Sequence, residues 1–175
     1  MNYEALTFVQ VDAQQVAELA EISRTTFYNA FAHLNNPDDI QAYIGKTFTT
    51  ENLLLELNNP DSLFYFALQD GNIVGYTKFN HPYRNGIVPE PQVLEIERIY
   101  VVAAHQGKSI GKKLIDFAVS EALKLDCTSI ILGVWEHNLN AIRFYERHGF
   151  VIYGDHNFML GTDCQTDLLM KKVIQ

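Results

Sequence analysis

The chain has 175 residues, 47% of them hydrophobic, and a formal net charge of −8 from 13 Lys and Arg against 21 Asp and Glu. That length suits one domain over residues 1–175 with a full-sized core. The acidity argues against nucleic-acid and anionic-membrane partners, which need basic surfaces; it is compatible with a cationic small molecule, and solubility alone explains it as well. No stretch approaches the roughly 20 apolar residues of a membrane span, and the first ten residues lack the basic and apolar regions of a signal peptide. Cys127 and Cys164 form no CxxC pair. Both are expected to be reduced and mostly buried, in keeping with a cytoplasmic location.

Leu6–Val11 alternates and predicts a first strand. Asp12, with Gln15 three residues on, predicts a capping box and a helix running to about Phe31. Asn35-Asn36-Pro37-Asp38 ends it and opens a second helix, and Glu51–Leu57 predicts a third, stopped near Asn59-Pro60. Ser62–Leu68 and Ile73–Phe79 flank Asp70-Gly71, a hairpin signal because a type I′ turn needs positive φ. A loop rich in Pro and Gly follows from His81 to Pro91, then a strand over Val93–Val102. Ile110–Leu125 is amphipathic at helical spacing, and Ser129–Val134 is a short apolar strand. Asn138 caps a helix ending near His148, with Gly149 as its left-handed stop. Val151–Leu160 and Thr166–Val173 close the chain as strands around Gly161-Thr162-Asp163. The order predicts an α/β (α+β) fold with a mixed sheet.

The segment Val101–Leu114 carries the first chemical signal. A strand ends, a tight turn passes Gln106-Gly107-Lys108-Ser109, and a helix begins at Ile110-Gly111. The backbone N–H groups of a helix start lack intrahelical partners and sit at the positive end of the dipole, so phosphate oxygens are natural acceptors there. Lys108 and Lys112 add local positive charge. Gly107-Lys108-Ser109 imitates the tail of a P-loop, but that motif needs a glycine where this chain has Val102, and no GxGxxG is present. From this segment alone, a plain strand–turn–helix connection explains the pattern as well.

The second half of the pattern lies downstream. Asn138, Ala141, Tyr145, Gly149 and Phe150 match N-x-x-A-x-x-x-Y-x-x-x-G-F, and Gln106 and Gly111 match Q/R-x-x-G-x-G/A, with Ser109 in place of the middle glycine. Together they resemble the GNAT superfamily of N-acetyltransferases, and the element order agrees along the whole chain. The resemblance implies a single N-acetyltransferase domain with a central, mostly antiparallel sheet of about seven strands, flanked by helices, with one splayed cofactor-binding strand. It implies acetyl-CoA (CoA) as cofactor. Ile99, Tyr100, Val101 and Val102 would meet the pantetheine arm. Gln106, Gly107, Lys108, Ser109, Ile110, Gly111 and Lys112 would hold the pyrophosphate. Asn138, Asn140 and Ala141 would line the far side, with Tyr145 near the thioester sulfur.

The reaction implied is direct attack of an amine on an acetyl carbonyl in a ternary complex. An alkylamine with a pKa near 10.4 must first lose a proton, and the departing thiolate benefits from a donor. Tyr145 is the candidate acid, against the alternative of a core aromatic. Glu95 and Glu97 are candidate bases. Unbroken alternation puts them on the side of Ile99 and Val101, whereas a β-bulge would not. Glu95 lies eleven residues before Gln106, the spacing at which histone-acetylating members of the superfamily carry their base. The alternative for both is an exposed polar pair or an ion pair with Arg98.

A narrower resemblance, to PaiA-type spermidine/spermine acetyltransferases, rests on Leu94–Val101, Gly133-Val134-Trp135-Glu136, and the tail from His156 to Met170. Thr26-Phe27-Tyr28 and Asn36-Pro37-Asp38 fit the same group. It implies a polyamine acceptor, with Tyr28, Phe31 and Tyr83 along its methylene chain and Asp38, Asp39, Glu95 or Glu97 at its ammonium groups. His156 is a candidate substrate contact and proton relay, against the alternative of a satisfied structural histidine. The histidines show no metal-ligand spacing, so no metal is expected. Two other readings stand beside this one: a non-catalytic acyl-CoA-binding regulatory module, and an acetyltransferase of peptide or protein amines. A homodimer is expected only because many members of the superfamily form one.

Overall fold

The computed structural model of the chain describes residues 5–85 and 88–175. Asp12 caps the entry to the first helix as its sequence predicts. Its carboxylate accepts from the Gln14 N–H at 2.8 Å, and its own N–H donates to the Gln15 side chain at 3.1 Å. After a short 3₁₀ turn at Ala13–Gln15, α1 runs over Val16–Phe31. Asn36 caps α2 (Pro37–Thr47), with Pro37 in the first turn where its missing N–H does no harm. Thr49 caps α3 (Thr50–Leu57).

The strands are β1 (Thr7–Gln10), β2 (Ser62–Gln69), β3 (Asn72–Asn80), β4 (Tyr83–Asn85), β5 (Val88–Glu90), β6 (Val93–Val101), β7 (Ser129–Trp135), β8 (Val151–Leu160) and β9 (Asp163–Val173). Helices α4 (Ile110–Lys124) and α5 (Leu139–Arg147) follow β6 and β7. The predicted hairpin is present: Gln69 pairs with Asn72, and Asp70 and Gly71 have φ of 53° and 76°. The loop expected over 81–91 instead contains the β4–β5 pair. Its positions 86 and 87, like residues 1–4, lie outside the described residues.

Seven strands form one sheet in the order β1-β2-β3-β6-β7-β9-β8, with only the β6–β7 pair parallel. On one face α1, α2 and α3 bury Leu19, Phe27, Ile40 and Leu53 against Phe64, Phe66 and Tyr76. On the other, α4 and α5 bury Ile115, Ala118 and Ile142 against Leu94, Ile96 and Leu132. Phe64 and Phe66 face the first layer, while Leu63 and Tyr65 pack with the second, as strand alternation requires. Cys127 is buried, but Cys164 is exposed near the β8–β9 turn, contrary to expectation, because it pairs across the hairpin with the exposed Met159. No helix among the described residues is long and apolar enough to cross a membrane.

Candidate active site

The site arises where the sheet comes apart. β6 and β7 pair only from Val93 with Ser129 to Ile96 with Leu132. Beyond that point β6 stays with β3 as far as Val101, and β7 continues with β9 as far as Trp135. Among the described residues, one edge of β6 from Glu97 to Val101 therefore has no strand beside it. A cavity of about 1310 Å³ occupies the gap and reaches both faces of the sheet.

At the far end of β6 lies the turn singled out in the sequence. The Gln106 side chain donates to the Val101 carbonyl at 3.2 Å, tying the turn to the strand. The first helical hydrogen bond of α4 is donated by Lys113 to the Ser109 carbonyl. The N–H groups of Ile110, Gly111 and Lys112 precede it, and all three residues line the cavity. This is a fit for a pyrophosphate: backbone donors, the positive end of a 15-residue helix, and a concave approach. Ser109 stands at φ 61°, ψ 12°, in the left-handed region, with no side-chain capping bond. That conformation costs an L-residue roughly 1–2 kcal/mol and explains why the superfamily pattern prefers glycine there. A Cβ on Gly111 would come within 3.2 Å of the Phe144 ring, so the glycine lets α4 pack on α5.

The downstream motif is a helix and its two caps. The Asn138 side chain accepts from the Ala141 N–H at 3.3 Å, capping α5. At the other end Phe150 N–H donates to the Tyr145 carbonyl at 3.1 Å, and Gly149, at φ 86°, donates to Glu146 at 3.0 Å. This is a Schellman stop, with the rings of Tyr145 and Phe150 5.8 Å apart as its hydrophobic contact. Tyr145 lines the cavity from the α4–α5 face. Burial pushes its phenol up to about 12, so it stays protonated at working pH.

The acidic side departs from simple alternation. Lys78 pairs with Arg98, but Phe79 pairs with Ile96, which leaves Glu97 as an extra residue. Leu94, Ile96 and Ile99 pack with the α4–α5 layer, so the strand changes phase between Ile96 and Ile99. The expectation that Glu95 and Glu97 share a side with Ile99 and Val101 is therefore overturned. The bulge sets Glu97 and Arg98 together on the α1–α3 face. There Arg98 meets Glu56 of α3 at 2.8 and 3.0 Å, and its guanidinium lies 5.2 Å from the Phe48 ring centre. Lys78 reaches Glu97 at 2.6 Å and Glu56 at 3.1 Å, and Arg98 reaches Glu97 at 3.3 Å.

The two carboxylates differ accordingly. Burial alone would raise the Glu97 carboxyl, but Arg98 and Lys78 outweigh it and hold Glu97 below the usual range. Burial, with Glu97 adding to it, lifts Glu95 above that range despite a hydrogen bond from Asn80. Both line the cavity, together with His156, Asp155 and Asp167 from β8 and β9. His156 is directly opposite Asp167, whose carboxyl is raised by burial.

The remaining sequence candidates divide. Ile99, Tyr100 and Val101 border the cavity, as do Gln106, Gly107, Ser109, Asn138, Asn140 and Ala141. Phe31 and Tyr83 border it too. Val102 does not: its N–H donates to Val74 and its side chain packs into the α1–α3 layer. Lys108 also stays outside the lining, on the exposed side of the turn, and Lys112 pairs with Asp116 at 2.6 Å. Tyr28, 48% exposed on α1, and Asp38, exposed in the first turn of α2, do not reach the cavity. Asp39 instead accepts from the N–H and hydroxyl of Thr162 at 2.7 and 3.0 Å, clamping α2 to the β8–β9 turn. Sequence reasoning gave no site role to Asn80, Lys78 and Glu56, nor to Trp135 and Asp167, which it used only as marks of resemblance. Their roles depend on contacts between elements distant in the chain, for which no local pattern exists.

A family comparison agrees with this architecture. The sequence profile of the Acetyltransferase (GNAT) family matches residues 16–150. The chain is 39% identical over 166 residues to an uncharacterized N-acetyltransferase of the pepI 3′ region of Lactobacillus delbrueckii subsp. lactis, covering 95% of this chain and 96% of that one. It is 29% identical over 106 residues to the spermine/spermidine N(1)-acetyltransferase of Bacillus subtilis, covering 57% of this chain and 63% of the relative. Among solved structures, the PaiA N-acetyltransferase from Thermoplasma acidophilum in complex with coenzyme A superposes with a TM-score of 0.79 at 22% identity, over 97% of this chain and 99% of that one. The split sheet, the anion-ready turn and the profile match converge: the chain belongs to the GNAT family of acetyltransferases.

Proposed function

We propose that the protein transfers an acetyl group from acetyl-CoA to a primary amine of a small molecule, with a polyamine such as spermidine or spermine as acceptor. The observation that carries this is the gap in the sheet. The α4 turn and Tyr145 serve it from the α4–α5 face, and the Glu95–Glu97 bulge serves it from the α1–α3 face. From Glu95 to Val101, at about 3.3 Å per residue, the strand extends roughly 20 Å. The carboxylates and the anion site thus stand well apart along one rail.

Acetyl-CoA supplies, when bound, an activated carbonyl and a thiolate leaving group. The N–H groups of Ile110, Gly111 and Lys112 hold its pyrophosphate, and the unpartnered edge of β6 offers backbone groups to its extended arm. Glu95 takes a proton from the incoming ammonium, directly or through one water. Its raised carboxyl is better matched to that task than Glu97, whose charge is committed to Lys78 and Arg98. Backbone N–H groups of the β6 edge stabilise the charge that develops on the carbonyl oxygen. Tyr145 donates its hydroxyl hydrogen bond to the departing sulfur. Alkyl thiols are more acidic than a phenol at about 12 (cysteine is near 8.5), so full transfer from Tyr145 is uphill and the bond acts on the developing charge. Overall the ammonium and thioester become amide, thiol and one free proton: the nitrogen gives up its first proton through Glu95 to solvent and its second, as the tetrahedral adduct collapses, to the departing sulfur.

The polyamine reading rests on Glu95, Asp155 and Asp167 around one cavity, on the net charge of −8, and on the apolar walls Phe31, Trp135 and Phe158. The name of the Bacillus subtilis relative points the same way. Thiol release from acetyl-CoA against spermidine, spermine, aminoglycosides and peptides tests it. Turnover is expected with the polyamines. Turnover only with peptides would replace the acceptor, and tight CoA binding without turnover on any amine would leave a binding module.

A further inference from the structure

Asn80 ends β3 directly opposite Glu95 in register. Its Nδ2 donates to Glu95 Oε2 at 2.7 Å and to Glu97 Oε2 at 2.6 Å. Its Oδ1 accepts from the Ser62 hydroxyl at 3.3 Å, which fixes the amide so that both hydrogens point at carboxylates. Glu97 has Lys78 and Arg98 for compensation. Glu95 has no ion pair and no other hydrogen-bond donor among the described residues.

We propose that Asn80 is a positioning residue for Glu95. Its single amide bridges the two carboxylates, fixing the Glu95 carboxylate at the cavity wall and keeping it ionised, while Glu97 stays locked to the cations. The proposal rests on the reading of Glu95 as the base. Its physical basis is that two carboxylates at one place resist joint ionisation unless donors share them. A hydrogen bond to the charged form of Glu95 favours that form, and Asn80 supplies it. The other groups facing Glu95 are Glu97 on its own strand, Lys78 on β3, Tyr83 on β4, and Tyr153 and His156 on β8. None of the described ones replaces this hydrogen bond.

The decisive measurement is a ¹³C NMR titration of the glutamate side-chain carboxyls in the full-length protein, with the Glu95 resonance assigned by Glu95→Gln. In Asn80→Ala the Glu95 midpoint is expected to move to higher pH. Asn80→Ser keeps one hydroxyl donor and is expected to fall between Asn80→Ala and the parent. With spermidine as acceptor, the acid limb of kcat/KM moves the same way and the high-pH plateau is largely retained. An unmoved Glu95 midpoint in both variants overturns the proposal, as does a loss of rate that is uniform in pH. If Asn80→Ala does not fold, Asn80→Ser decides. If Glu95→Gln keeps full activity, the base reading fails, and the titration still shows whether Asn80 controls that carboxyl.

Discussion

The two ends of the cavity are built from different materials. The turn at α4 is made of backbone: N–H groups before Lys113, a left-handed Ser109, and a glycine that admits Phe144. The bulge on β6 is made of side chains, with Glu56, Lys78, Glu97 and Arg98 forming a partly buried network of two anions and two cations and Asn80 bridging to Glu95. A backbone site tolerates changes of residue provided the chain path survives. A side-chain network fails when any member is removed, because the partner is left with uncompensated charge.

Four substitutions sharpen that contrast. Glu56→Ala has the largest effect, leaving Lys78 and Arg98 to share Glu97 in a buried site. Breaking such a pair costs about 3–5 kcal/mol, readable as a lower urea midpoint, and a change below 1 kcal/mol would show the network to be solvated. Glu95→Gln is expected to lower kcat/KM by about 10²–10⁴. In the parent, the rate should rise with pH as the carboxyl ionises, with the limb above the usual carboxylate range because burial raises Glu95. A limb at an ordinary carboxylate pKa would remove Glu95 from that role. Tyr145→Phe comes next, at about 10²-fold in kcat, with CoA affinity nearly unchanged. A matching loss in CoA affinity would make Tyr145 a binding residue. The smallest effect belongs to Ser109→Gly. It relieves the left-handed strain at some cost in chain entropy, a net gain of about 0.5–1 kcal/mol, with equal or tighter CoA binding by calorimetry. A marked loss of affinity would assign the serine hydroxyl a contact of its own.

The same contrast governs how much the sequence reveals. Asp12 with Gln15, Asn138 with Ala141, and Gly149 with Phe150 satisfy each other within a few residues, so their patterns are legible without knowledge of the fold. Asp70-Gly71 declares its turn through the same local logic. The bulge at Glu97 is set by how β3 and β6 slide into register, and a pattern of period two has no means of showing it. Asn80 and Glu56 lie 15 or more residues from the groups they hold. Tyr28 and Asp38 are candidates by resemblance and residue type alone, and neither carries information on which side of its helix meets the cavity. The β4–β5 pair was hidden because strands of three residues carry too little periodicity to separate from a loop.

The parallel ladder of four residue pairs between β6 and β7 has a mechanical consequence. Among the described residues it is the only strand pairing that joins β1-β2-β3-β6 to β7-β9-β8. The molecule resembles a book with a short spine, its pages diverging from Ile96 and Leu132 onward. A ligand lodged between the pages acts as a splint, bearing on both at once. Bound ligand adds RT ln(1 + [L]/Kd) to stability, so saturating CoA at 100 times its Kd raises the unfolding free energy by about 2.7 kcal/mol. Hydrogen exchange should show where the splint acts, with protection rising most in β6 beyond Glu97 and in β7 beyond Leu132, where the spine has ended.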